Sequence, residues 1–426
     1  MTQSTNLYSP EVQECPYNAY KTLRDESPVH VMPETGAYLL TRYADIMAVL
    51  QRPDVFHHGP APASVSSDDG TGGDVASSTH QNPAGQPLTV YVDGDEVHQS
   101  PLNSDPPVHR CYRNLIDGHF SMRGVQRHVE LVEGHATAAI DRWIDRGEAD
   151  LIKEFSEPFP RNVITDIFGF DMADTDRLQE WSAAWVLPFS GAITEEQQNY
   201  CTQMMQDFRA YIGNVVREKE ETPDETVVSS LVHSTFVGPD GISRPLKHME
   251  IVSMIDMIFT GGHHTTTNAF GSMMEMILKR PGLQKALREN KEMRAGVIEE
   301  ALRLESVVQG MFRHTMEPFE VGGVLIPAGS TVHLRFAAAN RDERVFVEPD
   351  KLDPERSNVR RHLAFGIGEH HCPGSALARL EMSVALDAML ERTTDMWLLP
   401  SEQAGLHTPG LVLRGLRELK VGFTPA

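Results

Sequence analysis

The order of hydrophobic and polar residues divides this chain into long three- and four-residue rhythms and a few short alternating runs. The stretches "HVELVEGHATAAIDRWIDRG" and "DRLQEWSAAWVLPF" repeat apolar residues at the spacing of one helix face. "HMEIVSMIDMIFTGGHHTTTNAFGSMMEMILKRPG" keeps that rhythm for about 30 residues. It predicts a helix roughly 45 Å long, at 1.5 Å per residue, that stops near Pro281 and Gly282. "EMRAGVIEEALRLES" and "PGSALARLEMSVALDAML" predict two more helices. In the second, Pro373 suits the first helical position, where a missing N–H costs nothing. "PVHVMPETGAYLLT" reads as a small hairpin and "FEVGGVLIPAGSTVHL" as short strands around turns. From 57 to 104 the rhythm is lost. That segment is rich in Gly, Ser, Pro and Asp, with one apolar patch, "LTVYV", and predicts a long loop, either a lid or a solvated insertion. With no repeat and no linker-like break, the expected architecture is a single mainly α domain over residues 1–426, with a minor β region.

Composition narrows the function classes. Of 426 residues, 40% are apolar and 23% charged, as in an ordinary globular protein. The formal net charge of −22 disfavours polyanionic partners, so neither nucleic acid nor an anionic membrane is expected. No apolar run reaches the length of a membrane span, and the first twenty residues lack the pattern of a signal peptide. A cytoplasmic location is therefore expected. The four cysteines, Cys15, Cys111, Cys201 and Cys372, are far apart and form no CxxC pair, which argues against a disulfide framework or a structural zinc site.

One cysteine stands in unusual company. "FGIGEHHCPG" places Cys372 among glycines and histidines, immediately before a predicted helix. At the helix N-cap, a thiolate would gain from the positive end of the dipole, by about 0.3–1 kcal/mol. Gly366 and Gly368 allow tight turns and close approach to a flat object. A single thiolate under a flat object describes a haem ligand, which favours O–O cleavage. The competing readings are a nucleophilic cysteine, a metal site with His370 and His371, and an inert buried thiol. Adjacent residues seldom close on one ion, which disfavours the metal site.

The stretch resembles the haem-binding loop of the cytochrome P450 family at every patterned position: Phe365, Gly366, Gly368, His370, Cys372 and Gly374. "EEALR" resembles the family's Glu-x-x-Arg pair as Glu300 and Arg303, and "LDPERSN" supplies Arg356 as the third member of a structural triad. "AYKTLRDESPVH", "LLTRYADIMAVL", "SDPPVHRCYRNLI" and "HLRFAAANRDERVF" look like further family segments in order, so the resemblance covers nearly the whole chain. It implies haem b with Cys372 as axial ligand, and propionate contacts from His109, Arg113, Arg313 and His370. It also implies that Gly261, Gly262 and Thr265 on the long helix make room for dioxygen and hold its hydrogen bonds. His264 departs from the pattern, standing where the family usually has Asp or Glu. It is either a proton relay, titrating near pH 6.5, or a residue facing solvent or another helix.

The resemblance further implies a monooxygenase that places one atom of O2 in an apolar small molecule, by hydroxylation, epoxidation or O-dealkylation. "GGHHT" argues for this over a peroxygenase, an isomerase or dehydratase, or a non-catalytic haem sensor. No flavin or iron–sulfur domain follows the terminal sheet in this sequence, so electrons are expected from a ferredoxin and its NAD(P)H-dependent reductase. Arg110, Arg113, Arg360, Arg361 and Arg379 form a candidate docking patch. By position, Val90, Tyr91, Trp181, Trp185, Met257, Val307, Val308 and Leu411 are expected to line the substrate pocket.

Overall fold

In the computed structural model, residues 6–58, 104–190 and 193–426 are described. Val90, Tyr91 and almost all of the expected 57–104 loop lie outside them. The elements that frame the site begin with strands β1 (Val29–Val31) and β2 (Tyr38–Leu40), helix α1 (Tyr43–Leu50) and strand β3 (Phe56–His57). Next come α2 (Val108–Phe120), α3 (Val129–Asp141), β4 (Glu148–Asp150), α4 (Pro158–Phe168), α5 (Thr175–Val186), α6 (Glu195–Glu221) and α7 (His248–Leu278). After α8 (Glu292–Glu305) follow β5 (Met311–Thr315), β6 (Thr331–Leu334), α9 (Ser375–Arg392), β7 (Thr393–Leu398) and β8 (Lys420–Pro425).

The 31-residue α7 is the axis of the molecule. It starts where Glu250 reaches back to accept the Lys247 N–H at 2.7 Å, and it stops before Gly282, whose φ of +82° leaves the helical region. Its apolar side chains are buried on several faces, because α4, α6, α8 and α9 all pack against it. Met254, Ile255, Phe259, Phe270, Met273 and Ile277 join the largest apolar cluster of the molecule. The long helix thus forms as its periodicity predicts.

The minor β region lies to one side. Its main sheet has the order β1-β2-β6-β5-β3, with β2 and β6 parallel and the other neighbours antiparallel. The register sets Val332 beside Tyr38 and Leu334 beside Leu40. "FEVGGVLIP" makes a separate hairpin, Phe319–Val321 with Val324–Ile326. Gly322 and Gly323 turn it with φ of +59° and +78°, the positive pair that a two-residue turn of right-handed twist requires. A second sheet joins β7, β8 and β4.

Candidate active site

The "FGIGEHHCPG" loop folds back on itself before α9. Gly366 and Gly368 take φ of +64° and +75°, and the Cys372 N–H donates to the Phe365 carbonyl at 2.8 Å. The cap of α9 is Gly374, so Cys372, expected at the N-cap, lies two residues before it. Pro373 is correspondingly outside the helix. The backbone amides of Gly374 and Ser375 nevertheless favour negative charge on the sulfur, and the Ser375 N–H donates to the Cys372 carbonyl at 3.4 Å. Burial pushes the Cys372 thiol up, and these amides, Arg113 and Arg379 only partly offset it. The protein alone therefore favours the thiol, whereas metal coordination would favour the thiolate.

Cys372 faces a cavity of about 310 Å3 lined mostly by apolar side chains. Met257, Gly261, His264 and Thr265 of α7 border it. Gly261 is needed for the space: a Cβ there would meet nothing within 4 Å, whereas one on Gly262 would come 2.8 Å from Ile164 Cδ1. Trp185, Val307 and Val308 line the cavity as expected. Trp181 does not. It stacks on Phe208 with ring centroids 5.4 Å apart, under the Arg177 guanidinium, and belongs to the α5–α6 core. Leu411 is also core, packed in a cluster with Tyr20 and Leu39, and Val412 and Leu413 line the cavity in its place. The bridge that pairs Val308 with Leu413 explains the offset. Ala269 was missed, although the four-residue step from Met257 through Gly261 and Thr265 points directly to it.

At one end of the cavity the lining turns cationic. Arg113 donates to Asp117 at 2.8 Å and to the His371 carbonyl at 2.7 Å. Arg313 is buried, its guanidinium pushed down to about 10 by desolvation, and its one hydrogen bond among the described residues goes to the Phe312 carbonyl. The His370 ring lies 4.2 Å from that of His109, tilted by 44°, and its pKa is driven to about 2, by burial first and then by Arg313. Both ring nitrogens of His109 are buried without a hydrogen-bond partner among the described residues, though Glu369 is 3.7 Å from Nδ1. Desolvated cations and unpartnered imidazole nitrogens fit an anion delivered with a ligand, as the carboxylates of a haem would be.

Along α7 the two adjacent histidines are held by one serine. Ser182 Oγ lies 2.9 Å from His263 Nε2, and the Ser182 carbonyl accepts from the His264 ring. His264 Nε2 has no partner among the described residues, so the bonded nitrogen is Nδ1. The exposed part of His264 faces the cavity rather than bulk water. Burial pushes its pKa down to about 4, well below the expected 6.5. The Thr265 hydroxyl donates to the Gly261 carbonyl at 3.0 Å, and the helix continues unbroken through both glycines.

Glu300 and Arg303, both fully buried, pair at 2.6 and 2.9 Å, and Arg356 Nε reaches Glu300 at 3.0 Å. The two guanidiniums spend their other donors on the carbonyls of Asn340, Val347, Glu348, Pro349 and Lys351. A second cleft, of about 810 Å3, opens beside α1 and shares Phe365, Gly366 and Ile367 of the cysteine loop with the cavity lining. Arg360, Arg361 and Arg379 border it, with Met47, Phe365 and Ile367. Arg110 and Arg113 are not part of that lining, and Arg113 and Arg379 are already paired with acids, so the free positive charge is smaller than expected.

A helical fold around a half-buried cysteine, a small-residue step on the long helix and a cationic part of the cavity lining together fit a haem-thiolate protein. The chain belongs to the cytochrome P450 family, whose family model matches residues 74–394. It is 31% identical over 408 residues to cytochrome P450 107B1 of Saccharopolyspora erythraea, covering 95% of this chain and 94% of that protein. It is 29% identical to the cyclomarin C epoxidase CymV of Salinispora arenicola, over 95% of this chain and 94% of that one. The structure of CYP109Q5 from Chondromyces apiculatus superposes with a TM-score of 0.83 at 28% identity, covering 99% of this chain and 98% of the other. The chain is accordingly a cytochrome P450 monooxygenase whose cofactor is haem b, acting on a small molecule with O2 and redox partners. No helix among the described residues is long and apolar enough to cross a membrane.

Proposed function

We propose that this chain acts as one haem domain, in the cytoplasm, and places one atom of O2 in an apolar small molecule by hydroxylation, epoxidation or O-dealkylation. One observation carries the reading: Cys372, the Gly261–Thr265 step and the two desolvated groups Arg313 and His109 all border or adjoin a single cavity. Haem held there supplies dioxygen activation. Cys372 would hold its iron, and Arg113, Arg313, His109 and His370 would hold its carboxylates. Thr265 orients a hydrogen bond over the cavity, and Gly261 keeps the space beside it open. The mostly apolar lining excludes bulk water and selects an apolar substrate. The relative named as an epoxidase supports epoxidation among the reactions of this chain. Electrons come from a ferredoxin and its NAD(P)H-dependent reductase. The carrier docks at the cleft beside α1, where Arg360 and Arg361 rim an apolar floor that continues to Phe365 and His371.

The test is the reduced, CO-bound spectrum of the wild type and of Cys372→Ser, followed by product formation from NADH, O2 and a surrogate ferredoxin pair. The thiolate band is expected in the wild type and lost in the variant. A variant that keeps the band refutes the ligand assignment. Product formed with peroxide but not with O2 and NADH refutes the monooxygenase reading in favour of a peroxygenase.

A further inference from the structure

Two cations act on the Cys372 sulfur, Arg113 and Arg379, and each is held by an acid. The partner of Arg113, Asp117, is 39% exposed, so water screens that pair. The partner of Arg379 is Glu299, whose side chain is only 6% exposed. Arg379 Nε and Nη2 reach the two Glu299 oxygens at 2.6 and 3.1 Å. The same guanidinium lies 4.5 Å from the centre of the Phe365 ring, and its Nη1 donates to the Ser375 carbonyl at 3.3 Å. It is thus fixed between the start of the cysteine loop and the first residue of α9.

Glu299 has a second partner in His362. His362 Nε2 lies 2.8 Å from Glu299 Oε2, and His362 Nδ1 accepts the Ala364 N–H at 3.2 Å. Burial opposes ionisation of Glu299, but the hydrogen bonds from His362 and Arg379 outweigh it and hold the carboxyl at about 2. Glu299 is thus a buried anion held between Arg379 and His362. The neighbouring Glu300 serves Arg303, Arg356 and the Asp353 N–H instead, so the two adjacent acids of α8 hold different segments of the chain.

We propose that Glu299 is a positioning residue that fixes Arg379 beside the Cys372 sulfur and partly cancels its charge, and thereby sets the reduction potential of the haem. The proposal rests on Cys372 being the haem ligand. A cation near the ligating sulfur favours the extra electron of the reduced state, and a buried anion beside that cation disfavours it. The charges thus predict opposite signs for the two members of the pair, whereas a merely structural role predicts no such opposition.

The experiment measures the ratio of reduced to oxidised haem at fixed poise, in the haem-loaded wild type, Glu299→Gln, Arg379→Gln and Arg379→Lys. Glu299→Gln keeps the shape and removes the anion. Its ratio is expected to rise by about threefold or more, roughly 28 mV for a one-electron couple. Arg379→Gln is expected to fall by about as much, and Arg379→Lys to stay near the wild type. Shifts of the same sign in the two Gln variants, or no shift in either, overturn the proposal. If Glu299→Gln fails to take up haem, the Arg379 pair decides: an unchanged ratio in Arg379→Gln, or equal changes in Arg379→Gln and Arg379→Lys, overturns it. A wild type without the thiolate band in its reduced, CO-bound spectrum refutes the Cys372 reading. A wild type with that band and immovable ratios refutes the role of Glu299 alone.

Discussion

His264 is expected to make this protein less stable in mild acid, and the structure sets the size of the effect. Its pKa is about 4 in the folded chain, because the ring is buried between α5 and the cavity. In the unfolded chain it is an ordinary histidine near 6.5. Between those values the unfolded state binds more protons than the folded one. The stability due to a neutral His264 is therefore complete above pH 6.5 and is lost as pH falls towards 4. Linkage over that window makes the loss about 2 kcal/mol at pH 5 relative to pH 8. The perturbation is His264→Asn, which keeps a short N–H donor for the Ser182 carbonyl and cannot titrate. Urea unfolding of the haem-loaded wild type and variant at pH 8, 6.5 and 5 isolates the term, since the other titrating groups cancel in the difference. The wild type should lose about 2 kcal/mol more than the variant. Equal losses, within about 0.5 kcal/mol, would show that the folded protein does not hold His264 neutral and would refute the reasoning. The same depression moves any pH dependence of a His264 relay out of the neutral range. At pH 7 about one ring in a thousand carries the extra proton. Product formed per NADH should then be flat, on account of His264, from about pH 5.5 to 8.5.

Arg303→Met should cost about 3–5 kcal/mol in urea unfolding, because it leaves Glu300 half-paired and the carbonyls of Asn340 and Pro349 without their donor; a cost below about 1 kcal/mol would count against the triad as a structural clamp. Trp181→Ala should cost about 3–5 kcal/mol yet leave ligand-induced haem spectral shifts intact, whereas Trp185→Ala should alter those shifts at little cost in stability. The reverse pattern would overturn the placement of the two tryptophans.

What could be read in advance was what the chain encodes locally. The step from Glu300 to Arg303 is one helical turn, and the turns at Gly366 and Gly368 follow from glycine alone, so both survive in the structure. The helix over 248–278 needed only its own periodicity. The misreadings concern what distant segments impose. Trp181 and Trp185 share a helix and a chemistry, and only the arrival of Phe208 from α6 makes one of them core. His264 looked like a neutral-range acid because desolvation comes from residues tens of positions away. The cap of α9 shifted by two residues because the cysteine loop adds its own turn before the helix begins. Glu299 passed unnoticed beside Glu300, since its partners His362 and Arg379 are remote in sequence.

The parallel pairing of β2 with β6 has a consequence for how the protein comes into being. Leu40 finds its neighbour only when Leu334 exists, so this edge of the first hairpin stays open through most of synthesis. At about 5–20 residues per second, the ribosome needs on the order of 15–60 s to supply that partner. The second sheet is completed later still, because Ala149 pairs with Val421. Arg414 likewise binds the carbonyls of Gln13 and Glu14. The nascent N-terminal half therefore leaves the ribosome with unpaired strand edges, a state in which chaperones have something to hold. Slowing translation before residue 331 should lengthen that window of vulnerability and lower soluble yield, with no change to the finished molecule.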